Sequence, residues 1–158
     1  VPTIISYKDG KPHNWGYCVD SAEKINFKWF KILLDPGHRL RNKAEPVLNS
    51  MRLLRGLNKT AEEVATDYLR LLWEYTQDDI SRFQGDNWRA IYRLKVILTV
   101  PAIWSLPGKE NTRKVALSAG LPVDVSLVSE PEAAALAVMK EQDGQGGSLQ
   151  VNMPFYYR

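Results

Sequence analysis

Between Leu94 and Glu141 the sequence alternates twice between an extended and a helical pattern. This alternation constrains the fold more than any other feature of the chain. Leu94 to Val100 is a near-continuous apolar run rich in β-branched residues, and Pro101 ends it. Such a run predicts a strand buried on both faces, as in a sheet covered by helices. Lys109 to Ala119 follows with a helical pattern and Gly120 as its C-terminal stop. Val123 to Val128 predicts a second strand. Ser129-Glu130-Pro131-Glu132 then opens a helix that runs to about Glu141, with Ser129 as cap and Glu132 closing the box. Strand, helix, strand and helix in this order make a βαβ unit with a parallel pair and a right-handed crossover.

The preceding segments are more varied. Val1 to Ser6 predicts a strand, Asp9-Gly10 a tight turn, and His13 to Val19 a return strand. Phe27 to Leu34 fits a strand or a short helix equally well and stops at Asp35-Pro36-Gly37. Residues 36–58 read as a basic connection carrying surface loop, with an amphipathic turn or two at Met51 to Leu57. Thr60 to about Phe83 is the clearest helix. Thr60 and Glu63 form an S/T-x-x-E capping box, and Gly85 is the stop. Val64, Tyr68, Leu71, Leu72, Tyr75 and Phe83 form its apolar stripe, leaving Asp67, Arg70, Glu74 and Asp78 for solvent. Asp143 to Ser148 reads as a flexible glycine-rich connector, and Leu149 to Arg158 as a tail with no regular pattern.

Composition excludes several classes. With 158 residues, 44% hydrophobic and 25% charged, the chain is of ordinary globular make-up. Its net charge of +3 comes from Lys and Arg scattered among acids, without the clustering that a nucleic-acid face needs. No run reaches the length of a membrane span, and the first ten residues lack the apolar stretch of a signal peptide. Cys18, the single cysteine, forms no intrachain disulfide or CxxC site and fits a reducing, cytoplasmic compartment. His13 and His38 are isolated, so no metal site is expected. The start at Val1 suggests a fragment or a trimmed chain.

Three motifs in the alternating region carry a family resemblance. Leu94 to Ala102 resembles the "VVTVPA" strand of the 70-kDa heat-shock chaperones. Arg113 to Leu121 resembles their "RQATKDAG…GL" helix and turn, and Val128 to Ala135 their "INEPTAAA". Upstream, Val1-Pro2-Thr3 is similar to "IPSYV", Trp15-Gly16 to part of "IGDAA", and Phe30 to Leu34 to "AKRLIG". The wording at 27–34 and 129–134 is closer to the divergent fungal and animal relatives. The resemblance covers roughly residues 1–141. It implies an α/β fold of the actin-like ATPase (ribonuclease H-like) type, with a mixed sheet and flanking helices. Residues 1–142 would be a partial nucleotide-binding domain, its first lobe, and residues 143–158 a connector and divergent tail.

The same resemblance assigns candidate residues. Glu130, where a strand ends and a helix begins, lies at the carboxyl edge of a parallel sheet, where ligands bind in α/β folds. By resemblance it helps position a water near the γ-phosphate; otherwise it is a first-turn acid favoured by the helix dipole. Lys31 matches the family's catalytic lysine, with Lys28 as the competing register, and a solvated lysine is the plain alternative for either. Pro101 and Arg113 match residues that relay nucleotide state between domains; alternatively, Pro101 simply ends a strand and Arg113 is a surface arginine.

The family's two phosphate loops, "DLGTT" and "DLGGGT", have no counterpart in the sequence. Gly146 to Met153 stands at the position of the second, without its Asp or Thr. The implied function is therefore a partial ATP-binding domain of a chaperone-like protein. ATP or ADP with magnesium would be the ligand of an intact family domain, and this chain alone would bind neither tightly nor hydrolyse ATP. Protein clients or co-chaperones would be partners of the full-length family, and self-association is expected of a lobe that leaves apolar surface uncovered. The alternative is a non-catalytic interaction module, or a truncated gene product, on the same half-fold.

Overall fold

The computed structural model describes residues 1–38 and 43–142 of the chain. It is a mixed α/β structure with small sheets and flanking helices. Strands β1 (Ile4–Lys8), β2 (Lys11–Trp15) and β3 (Asn26–Lys28) form an antiparallel sheet in the order β2-β1-β3. The β1–β2 turn is Asp9-Gly10, both residues at positive φ (53° and 73°), as the twist of a two-residue hairpin requires. The return strand stops at Trp15, short of the expected Val19. Gly16 turns there to φ 60° and opens a 3₁₀ turn, Gly16–Cys18. A Cβ on Gly16 would lie 2.6 Å from Val1 Cγ1, so the close approach of the N-terminus also demands glycine.

The segment that fits a strand or a helix becomes both. After β3, Trp29 adopts a left-handed conformation (φ 62°, ψ 11°), and Phe30–Leu34 winds into a 3₁₀ turn. This places Phe30, Leu33 and Leu34 in the core. Helix α1 (Glu45–Leu57) corrects the expectation of a mostly looped connection: it is 13 residues long, with Val47, Ser50 and Leu54 on its buried face. Ser50 Oγ donates to the carbonyl of Lys28, fixing α1 against β3. Asn58 ends the helix in the left-handed conformation.

Helix α2 (Ala61–Gln84) has the expected capping box in full, with Thr60 Oγ1 accepting from the Glu63 N–H and Glu63 accepting from the Thr60 N–H. Its apolar stripe is fully buried near the start, at Ala61, Val64, Ala65 and Tyr68, and Leu71 and Leu72 pack partly buried against the core. Tyr75 meets the Trp15 ring edge-on yet is half exposed, and Phe83 is exposed, contrary to expectation. Asp67 is the opposite correction. Instead of facing solvent, it accepts from Tyr7 Oη at 2.7 Å and pairs with Lys59 and Arg70. A single turn, α3 (Trp88–Ile91), follows.

Strands β4 (Ile97–Val100) and β5 (Ser126–Ser129) pair in parallel, Ile97 opposite Ser126 through Val100 opposite Ser129. Helix α4 (Leu106–Ser118) connects them. The βαβ unit is therefore present, with shorter strands than the apolar runs suggest. β4 is not buried on both faces: Ile97 is half exposed and only Val100 is fully covered. Among the described residues this sheet has just two strands, so no third strand shields its outer side. Val123, expected in β5, lies in the preceding turn and is exposed.

Helix α4 starts three residues before Lys109, because Ser105 Oγ accepts from the Gly108 N–H and Pro107 is tolerated in the first turn. Gly120, at φ 89°, ends it as expected. Helix α5 (Glu130–Gln142) begins on the expected Ser129–Glu132 box.

The main core joins Ile5, Phe27, Phe30, Val64, Tyr68 and Val100. A smaller cluster of Ala116, Ala119, Leu121 and Val125 lies under α4. No helix among the described residues is long and apolar enough to cross a membrane. The expected connector and tail, 143–158, lie outside the described residues.

Candidate functional site

Two of the four sequence-derived candidates meet. Lys31 Nζ donates to Glu130 Oε1 at 2.9 Å, across 99 residues of chain. Each side chain gets there by a local feature. The left-handed turn at Trp29 ends β3 and rotates the next residues into the 3₁₀ turn, which carries Lys31 toward the parallel sheet. Glu130 is the first residue of α5, directly after the carboxyl end of β5, the edge where α/β folds present ligand-binding groups. Lys28, the competing register, stays exposed at the end of β3, outside this pair.

The pair sits at the surface with side-chain exposures of 30% and 38%, open to solvent on one side. On the other side Lys31 Nζ lies 5.9 Å from the ring centroid of Trp104, within cation–π reach. Trp104 is itself buried, and its indole N–H has no acceptor among the described residues.

Pro101 follows β4 and its carbonyl accepts from the Trp104 N–H at 3.1 Å. It thus starts the turn that delivers Trp104 to Lys31. Arg113 lies elsewhere. Its guanidinium donates to the carbonyls of Val123 and Val125, both at 3.3 Å, pinning the turn before β5. That turn is at the end of β5 opposite Glu130.

The residues that tie the site together went unrecognised in the sequence. Asp35 is 2% exposed. Its carboxylate accepts from Ser105 Oγ, from the Ser105 N–H at 3.2 Å and from the Gly37 N–H at 3.1 Å. Burial on its own would raise the Asp35 carboxyl. The bonds from the Ser105 hydroxyl and the Gly37 and Ser105 N–H groups outweigh it and hold the carboxyl below its ordinary value. Asn111 Nδ2 adds a bond to the Leu34 carbonyl at 3.0 Å. The 3₁₀ turn carrying Lys31 is therefore latched to the start of α4. One sign was readable: Ser105-Leu106-Pro107-Gly108 has the make-up of a helix start. That Asp35 would meet it was not.

The pair offers an ammonium and a carboxylate side by side at a sheet edge, able to hold an anionic oxygen and to orient a water. Among the described residues no group of three or more His, Cys, Asp and Glu gathers to hold a metal ion. Cys18 is an exposed free thiol. No protein-family model matches the chain, and no curated protein matches it either.

Proposed function

We propose that this chain is part of an ATP-binding domain of the 70-kDa heat-shock type, with the actin-like ATPase lineage as its fold. One observation carries the reading: Lys31 and Glu130, picked from two separate motifs, lie 2.9 Å apart at the carboxyl edge of a parallel strand pair. Lys31 would hold a phosphate oxygen, and Glu130, released from Lys31 by that phosphate, would orient a water. A bound nucleotide would supply the phosphoryl group, and magnesium would neutralise its charge. Among the described residues Glu130 is the only carboxylate paired with Lys31, so the phosphates would provide most of the ion's ligands.

Phosphoryl transfer also needs a cradle of backbone N–H groups around the phosphates. The pair supplies one cation and one carboxylate, which is too little for hydrolysis. The chain alone is therefore proposed to bind Mg-ATP weakly and not to turn it over.

The test is a titration of the 158-residue chain with Mg-ATP and with inorganic phosphate, followed by NMR. Millimolar ligand should shift the Trp104 indole and the amides around Lys31 and Glu130, and Lys31→Met should abolish the shifts. Shifts elsewhere, or none, refute the site. Micromolar affinity by calorimetry refutes the claim of weak binding.

A second reading, a non-catalytic interaction module on the same fold, is favoured by the exposure of α5. Leu136 and Met139 are each more than 60% exposed.

A further inference from the structure

Trp104 is buried, and its indole N–H finds no acceptor among the described residues. A buried donor left unpaired is costly, so the ring's place is not set by its own polar group. The next residue, Ser105, is tied to Asp35 through both its N–H and its hydroxyl. The same hydroxyl oxygen accepts from the Gly108 N–H, which joins Asp35 to the first turn of α4. Trp104 is thus carried on a backbone fixed by the Asp35 carboxylate.

Asp35 also closes the turn that carries Lys31. It ends the 3₁₀ segment Phe30–Leu34 and accepts from the Gly37 N–H. Asn111 adds a parallel tie from α4 to the Leu34 carbonyl. Both partners of the cation–π contact therefore hang from one carboxylate, Trp104 through Ser105 and Lys31 through its own turn. A partly exposed lysine has a flexible stem and a strongly hydrated head, so solvent competes for it. Its ammonium meets the Trp104 face and Glu130 together only while the ring and the turn keep a fixed separation. We propose that Asp35 is a positioning residue of the Lys31–Glu130 site, setting the ammonium between the Trp104 ring and Glu130 Oε1. Its effect on anion binding rests on the phosphate-binding reading of that site; its effect on the unliganded Lys31 side chain does not.

Asp35→Asn tests this with little change of shape. The three groups facing the carboxylate all donate, and a carboxamide turns its own N–H groups toward one of them. The measurement is NMR of the Lys31 side chain in the full 158-residue chain, assigned with Lys31→Met, first without ligand and then with inorganic phosphate. In the wild type the Trp104 ring should shield the Lys31 Cε protons, and Trp104→Leu should remove that shift. Asp35→Asn loses stability whether its role is structural or positional, so its spectra are taken where circular dichroism shows it folded. There the ring shift at Lys31 should vanish and the phosphate midpoint rise about tenfold. If Asp35→Asn does not fold, Ser105→Gly gives the same readout, since it drops the hydroxyl and keeps a tolerated N-cap. Lys31 signals that stay unchanged in the folded variant overturn the proposal. A wild-type Lys31 without a ring shift overturns it too. A wild-type chain that ignores phosphate, while Asp35→Asn still moves the Lys31 signals, refutes the phosphate reading and upholds the positioning role.

Discussion

Replacing Gly108 by alanine should destabilise this protein, although the same change in an open helix stabilises. Gly108 lies in the first turn of α4 and is buried. An added Cβ would lie 2.8 Å from Asp35 Cβ, 2.9 Å from its Cγ and 3.2 Å from its Cα. The last is backbone and cannot swing aside. Asp35 cannot move without stretching its bonds to Ser105 and Gly37. Alanine would gain up to about 1 kcal/mol in helix propensity. Against this, overpacking costs about 1–3 kcal/mol, and weakening a bond to a buried carboxylate a further 1.5–3 kcal/mol or so. The net loss is about 1.5–5 kcal/mol. With a urea m-value of about 2 kcal/mol/M, the unfolding midpoint should fall by about 1–2.5 M. Gly56 provides an internal control. It lies in α1, and nothing stands within 4 Å of its added Cβ. Gly56→Ala should raise stability by about 0.5–1 kcal/mol. If urea titrations move both midpoints upward alike, the contact between α4 and Asp35 is not as tight as described, and the latch argument fails.

Three further outcomes follow from the same geometry. A double-mutant cycle of Lys31→Met and Glu130→Gln should give a coupling of no more than about 1 kcal/mol, shrinking with added salt, because the pair is partly exposed; a larger, salt-insensitive coupling would mean a dry site. Tyr7→Phe should cost about 1–2 kcal/mol in thermal or urea unfolding by removing the donor to Asp67, which keeps Lys59 and Arg70. The nearby Ser6 hydroxyl and the hydrogen bonds from Asn14 Nδ2 and the Asp20 N–H lower the Glu23 carboxyl from its ordinary 4.5 to about 2; its contribution is present above pH 4.5 and is lost as pH falls toward 2, so Glu23→Gln should flatten the acid limb of stability in that window and leave neutral pH dependence alone.

What could be read from the sequence was local in origin. The Asp9-Gly10 turn, the Thr60–Glu63 box, the Gly120 stop and the Ser129–Glu132 box each depend on residues within four positions of one another. The parallel pair also followed, because apolar runs alternating with a helix leave few other arrangements. The strand limits did not. β2 ends at Trp15 because Gly16 bends against Val1, a contact between ends of a folded sheet. β4 was overestimated because burial on both faces depends on neighbours that its own residues do not encode. Lys31 and Lys28 could not be separated by sequence, since the choice depends on one left-handed residue, Trp29, whose type gives no hint of it. Asp35 looked like a stop signal in Asp35-Pro36-Gly37. Its partner Ser105 is 70 residues away, beyond any local rule.

That 70-residue separation bears on the order in which the structure forms. Bringing Lys31 to Glu130 directly would close a loop of 99 residues. Once Asp35 has met Ser105, the remaining slack is about 29 residues, and the entropy of closing it falls by about 1 kcal/mol. The gain rivals the full worth of a partly exposed ion pair. The latch is thus the earlier event and the pair the later one, so a chain caught before the latch closes would hold its lysine and its glutamate far apart, however well each surrounding helix or turn had formed.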